Sequence, residues 1–166
     1  MATELNLKNI LAAPRVLKVT VSSGTGSGVK RDPKRNELVL DRLGKIVGQK
    51  AVIKNAKKAI ATFKTRQGDP VGVMATLRGK RAEAFLDKII HVALPRTKDF
   101  RGIKRSAVDN MGNLAIGLKE HTIFPETSDE ELRDVFGLSI MITTSAKDKK
   151  TAEKFFELMG VPFAKI

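Results

Sequence analysis

The sequence contains no cysteine, no tyrosine and no tryptophan, and only two histidines. Without cysteine there can be no disulfide, no thiolate metal site and no thiol nucleophile, which excludes cysteine-ligated zinc fingers. His91 and His121 lie 30 residues apart, and no acidic ligand stands at metal spacing beside His91. Both read as structural or surface residues, so no metal or other cofactor is expected. No run approaches the roughly 18 apolar residues of a membrane span. The opening Met1-Ala2-Thr3-Glu4-Leu5 lacks the basic segment and apolar run of a secretory signal. A cytosolic protein with no membrane partner is the expectation.

What the chain has in abundance is positive charge. Its 166 residues carry a net charge of +13, and such a chain attracts phosphate while repelling itself. The charge is segregated: residues 1–105 hold 24 Lys/Arg against 8 Asp/Glu, net +16, and residues 106–166 hold 7 against 10, net −3. Scattered solubilising charge has no reason to segregate in this way. A polyanion, RNA above all, is therefore expected to meet the first part of the chain. The composition, 42% apolar and 30% charged, is that of a globular chain, and the length suits one domain spanning residues 1–166.

Along the chain, residues 5–13 read as a short helix stopped by Pro14. In Arg15–Ser22, Leu17, Val19 and Val21 alternate with Lys18, Thr20 and Ser22, as in a half-buried strand whose polar face is a candidate binding surface. A glycine-rich loop, 23–28, leads to Asp32 as helix cap and Pro33 at the first helical position. The helix carries Leu38, Val39, Leu43, Ile46 and Val47 on one stripe and closes at Gly48. A dense basic series follows, Lys50, Lys54, Lys57, Lys58, Lys64 and Arg66, and Gln67-Gly68-Asp69-Pro70 marks a turn. Residues 60–77 are expected to form a hairpin with a basic tip.

A helix from Lys80 to Ala93 should end before Pro95. Between Pro95 and Gly112 there is no period, only a basic loop with Arg96, Lys98, Arg101, Lys104 and Arg105. This loop and the tip at 64–70 are expected to be mobile without RNA. Leu114, Ile116 and Leu118, then Leu138, Ile140 and Ile142, alternate as two more strands. Ser128 could cap a short acidic helix between them, and residues 148–159 form a last helix. The interleaving implies an α+β fold, an antiparallel sheet with helices packed on one face and the open face toward RNA.

Alternative chemistries find little support. Gly24-Thr25-Gly26-Ser27-Gly28 lacks the spacing and the Gly-Lys-Ser/Thr ending of a nucleotide loop. Glu126, Asp129, Glu130, Glu131 and Asp134 could serve as acid and base in an RNA-processing enzyme. Their place at a helix start has a plainer cause in the helix dipole, and catalysis is not expected. The eight Phe fall mostly on helix faces or beside turns rather than on a strand face where single-stranded bases would stack. A surface that reads the backbone and shape of folded RNA through Lys, Arg, Ser, Thr and Gln is expected instead.

Several ordered pieces of the chain resemble a known family. Ile46-Val47-Gly48-Gln49-Lys50, Ala56-Lys57-Lys58-Ala59-Ile60-Ala61 and Phe63-Lys64-Thr65-Arg66-Gln67-Gly68 are followed by Thr76-Leu77-Arg78-Gly79, Leu94-Pro95-Arg96 and Asp99-Phe100-Arg101-Gly102. Further on come Gly112-Asn113, Gly117-Leu118-Lys119-Glu120, Phe124-Pro125-Glu126 and Thr143-Thr144-Ser145-Ala146-Lys147. Together they resemble the 5S-RNA-binding large-subunit ribosomal protein family, number five, over about residues 14–150.

The resemblance implies a non-catalytic constituent of the large ribosomal subunit. It would seat 5S ribosomal RNA in the central protuberance, touch peptidyl-site transfer RNA and bridge to a small-subunit ribosomal protein. It assigns ribosomal RNA contacts to Lys18, Thr20, Ser22, Gln49, Lys50, Lys54, Lys57, Lys58, Thr76 and Arg78, and places Arg96 and Arg101 near large-subunit ribosomal RNA. Lys64, Arg66, Gln67 and Gly68 would approach transfer RNA, and residues from Phe124 to Arg133 would meet protein. The chain departs from the family pattern at Ser22-Ser23-Gly24, where Asn-Met-Gly is usual, and at Lys54, where threonine is usual. A serine reaches less far than an asparagine amide, so one contact would be lost or water-mediated. Lys54 would add a salt-sensitive phosphate contact.

Overall fold

The computed structural model describes residues 9–26, 34–98, 100–128 and 134–164. Five strands form one antiparallel open sheet in the order β2-β3-β1-β5-β4: β1 (Val16–Gly24), β2 (Val52–Asn55), β3 (Pro70–Leu77), β4 (Leu114–Leu118) and β5 (Leu138–Thr144). The three principal helices are α1 (Arg35–Val47), α2 (Lys80–Lys88) and α3 (Lys149–Leu158). Burial alternates along the strands. Val19, Val21 and Ser23 are buried on β1 while Lys18, Thr20 and Ser22 are half-buried; on β5, Leu138, Ile140 and Ile142 alternate with exposed Ser139 and Met141. One face is thus covered by apolar packing and the other is open, the α+β arrangement expected from the sequence.

The chain forms two compact units, one of residues 1–20, 77–116 and 140–166, the other of residues 21–76 and 117–139; β1, β3, β4 and β5 contribute residues to both. In the first unit, Phe85, Leu86, Ile89 and Leu94 are buried, as are Leu114, Ile140, Ile142, Ala152, Phe155 and Phe156. The second unit buries the α1 stripe Val39, Leu43, Ile46 and Val47 together with Val73, Ala75 and Phe124. Gly48 ends α1 at φ 68°, and its N–H returns to the Gly44 carbonyl at 2.9 Å, a left-handed cap that glycine adopts without strain.

Several buried polar groups of this second core find partners within it. The Ser23 hydroxyl donates to Gly137 O at 2.8 Å and Thr25 Oγ1 bonds Asn36 Oδ1. His121, fully buried, stacks on Phe136 with ring centroids 3.9 Å apart, and its Nδ1 accepts from the Phe136 N–H at 3.3 Å. It is a structural histidine, while His91 is exposed.

Several elements depart from the sequence expectations. Strand β1 runs to Gly24 because Ser23 finds a core partner, whereas Leu17, at the strand's start, is 44% exposed. The hairpin begins at β2, not at residue 60: Val52 pairs with Met74, Ile53 with Val73 and Lys54 with Gly72. The basic stretch 56–69 is its long connection, pinched by a bridge between Ile60 and Thr65.

The helix after β3 does not stop before Pro95. A π turn at Ile89–Ala93 carries it into a helical Leu94–Arg96. Proline lacks an N–H and crowds the preceding turn, and the wider π turn accommodates it. Of the helix expected over 5–13, only a single turn, Ile10–Ala12, forms among the described residues, with Asn9 and Ala13 outside it; residues 5–8, the loop beyond Gly26 with the Asp32-Pro33 cap, and Asp129–Arg133 of the acidic helix lie outside the described residues.

Candidate nucleic-acid interface

Strand β2 is an edge strand whose four residues are all exposed. Lys50 precedes it, Lys54 lies on it, and Lys57 and Lys58 follow it, all exposed. A break in register between Lys54 and Asn55 begins the connection to β3. An exposed edge strand that carries one lysine and is flanked by three more resists pairing with another strand and offers cations instead. Gln49, at the end of α1, donates from Nε2 to the Thr76 carbonyl at 3.1 Å, joining two of the expected contact residues 27 positions apart in the chain. Gln49 and Lys50 also line a groove of about 380 Å³ with Leu40, Asp41, Gly44, Lys45, Gly48 and Ala51. Lys45 itself is engaged by Asp41 at 2.8 Å.

The connection between β2 and β3 is shaped by hydrogen bonds of its own backbone. Lys64 N–H donates to Ala61 O at 2.9 Å and Lys64 adopts φ 51°, so a tight turn falls at 61–64. A lysine in the left-handed region is uncommon and carries local strain. Arg66 N–H donates to Asp69 Oδ2 at 2.7 Å, and Gly68 takes φ 91°. Arg66, Gln67 and Gly68 are exposed, as are Ile60 and Phe63. Ser22 and Thr76 are half-buried.

The first unit holds the remaining expected residues: Lys18 and Thr20 half-buried on β1, and Arg78, Arg96 and Arg101 exposed. The loop after Arg96 is less irregular than its sequence suggests. It contains a turn at Arg105–Ala107 and bridges Ile103 to Phe163 and Val108 to Leu114. Its far end is fixed by Asp109, which accepts from the N–H groups of Met111 and Asn113 at 2.9 and 2.7 Å and from Asn113 Nδ2 at 2.9 Å. Among the described residues no cluster of His, Asp and Glu is arranged to hold a metal ion, and no helix is long and apolar enough to cross a membrane.

Residues 9–66 match the family model described as "Ribosomal protein L5", and residues 70–163 match "ribosomal L5P family C-terminus". The chain belongs to the ribosomal protein L5 family. Proteins named "Large ribosomal subunit protein uL5" are 47% identical over 165 residues in Campylobacter lari, covering 99% of this chain and 91% of that one. The Thermoanaerobacter sp. protein is 46% identical over 158 residues, 95% and 88% of the two chains, and that of Natranaerobius thermophilus is 44% identical over 161 residues, 97% and 89%. As an L5-family protein, the chain is a non-enzymatic structural constituent of the large ribosomal subunit, located in the ribosome in the cytoplasm.

Within this L5-family chain, periodicity alone could not single out Gln49 or Asp109, since neither belongs to an apolar stripe. The hydrogen bonds of Asn113 and Met111 hold the Asp109 carboxyl below its ordinary value near 3.8. A carboxylate whose folded pKa is depressed contributes stability at pH above its unfolded value and loses it as pH falls through the folded one. Asp109→Ala should therefore destabilise the protein by about 1 kcal/mol at neutral pH, with the difference shrinking below about pH 4, in chemical unfolding across a pH series. A difference that grew toward acid would contradict this role.

Proposed function

We propose that the chain acts as a single domain that binds 5S ribosomal RNA, helps attach it in the central protuberance, contacts peptidyl-site transfer RNA and bridges to a small-subunit ribosomal protein. The observation that carries this reading is the exposed row Lys50, Lys54, Lys57 and Lys58 along and beyond the edge strand β2. Exposed lysines close together in the chain suit phosphates spaced along an RNA backbone, and the scarcity of aromatics on the strands favours shape over base stacking. The half-buried Lys18, Thr20, Ser22, Gln49 and Thr76 offer hydrogen bonds to sugar and phosphate, with Arg78 as a further cation.

The projecting turn with Lys64, Arg66, Gln67 and Gly68 is the transfer-RNA contact in this reading. Arg96 and Arg101 face large-subunit ribosomal RNA. For the protein bridge, Phe124 is fully buried, and Pro125, Glu126 and Ser128 are the exposed residues of this stretch among those described. Photo-crosslinkers placed at positions 57 and 64 of the chain in assembled ribosomes test the assignment. Position 57 should label 5S ribosomal RNA and position 64 the peptidyl-site transfer RNA. Labelling of neither RNA from either position would overturn it.

A further inference from the structure

The basic loop after Arg96 is fastened at its middle by groups far away in sequence. Ile103 N–H donates to the Pro162 carbonyl at 2.8 Å, and Ala164 N–H donates back to the Ile103 carbonyl at 2.9 Å. Next to Ile103, Gly102 has φ 96°, and a Cβ there would lie 2.5 Å from Ala164 N and 2.6 Å from its Cα. The segment 161–164 therefore runs directly against the loop backbone at a point where only glycine fits. Two residues on, Arg105 reaches Glu153 Oε2 at 3.3 Å and also Glu157 Oε1, both on α3, and its guanidinium carbon sits 5.3 Å from the centroid of the Phe163 ring. Lys149 approaches Glu153 from the same helix at 4.0 Å.

By sequence Arg105 is one more cation in a basic loop. Its two-pronged engagement by carboxylates and its stacking against Phe163 are instead the contacts of a structural arginine. We propose that Arg105, Gly102 and the segment 161–164 form a lock that sets the loop backbone before RNA arrives, making Arg105 a positioning residue for Arg101 rather than a phosphate contact. This rests on the RNA-binding reading of Arg96 and Arg101. Ordering a loop in advance removes that entropic cost from the binding step, so the lock acts on affinity at every salt concentration. A phosphate contact, by contrast, acts through the salt slope.

The two roles predict opposite signs for one variant. Glu153→Ala combined with Glu157→Ala removes the anchors of Arg105 and adds two units of positive charge. A lock requires the full-length variant to exchange the amides of Ile103 and Ala164 about tenfold faster, and to bind 5S ribosomal RNA about fivefold more weakly with an unchanged salt slope. Unchanged exchange, or tighter binding, overturns the lock. Arg105→Lys keeps the charge but loses the fork, and it should give the same pair of changes should the double variant fold poorly; wild-type exchange and affinity in Arg105→Lys would equally overturn the proposal. Arg101→Ala separates this from the reading beneath it. It should lower the slope by about 0.9, and no change would sink the RNA reading of the loop, whereas exchange without RNA decides the lock by itself.

Discussion

Replacing Lys54, Lys57 and Lys58 together by alanine is expected to weaken binding to 5S ribosomal RNA about 100-fold at physiological salt. The cause is counterion release: each phosphate neutralised contributes ~0.7–0.9 to the slope of log affinity against log salt, so three contacts remove about 2 to 2.7 units. At about 0.15 M salt each contact then accounts for roughly 0.7 logarithmic units of affinity. All three side chains are exposed, on or just beyond the edge strand β2, so the fold should tolerate the change within about 0.5 kcal/mol per site. Filter binding across a salt series reads both numbers. A loss under threefold with the slope intact would move the phosphate contacts elsewhere on the molecule.

Gly112→Val is expected to destabilise the protein by about 2–4 kcal/mol. Two independent strains add. Gly112 has φ 79°, which costs a branched residue about 1–2 kcal/mol, and a Cβ there would lie 2.8 Å from the Ala146 Cβ and 3.0 Å from its carbonyl oxygen. The carbonyl of Gly112 also accepts from Thr144 Oγ1 at 2.6 Å, and the Thr144 N–H reaches Asn113 Oδ1 at 3.3 Å, so the turn cannot shift without breaking the join to β5. Denaturant unfolding measures the change. Gly117→Val, where nothing lies within 4 Å of the added carbon and φ is ordinary, is the matched control. Equal stability of the two variants would contradict the account of the turn.

Much of this architecture is legible from period alone. The stripe Val39, Leu43, Ile46 and Val47 and the alternation of Leu138, Ile140 and Ile142 each name one buried face, and all of these side chains are buried. Less legible are features set by partners remote in sequence. Ser23 reads as loop because serine favours turns, yet Gly137 satisfies its hydroxyl inside the core. Pro95 reads as a helix stop, and the π turn that absorbs it leaves no mark in the sequence. Arg105 reads as a contact because charge counts do not reveal that Glu153 and Glu157, 48 and 52 residues away, take it up. The candidate cations Lys50, Lys54, Lys57 and Lys58 are visible as a basic series; that β2, which carries Lys54, is an edge strand depends on the pairing of Val52 with Met74 and becomes visible only in the sheet.

The central claim is selective recognition of one folded RNA by this basic surface. A gel-shift titration of 5S ribosomal RNA against a transfer RNA at several salt concentrations measures it directly. The account predicts preferential binding to 5S ribosomal RNA that persists at physiological salt. Equal binding to both, falling steeply and in parallel with salt, would contradict it and leave a surface that attracts any polyanion.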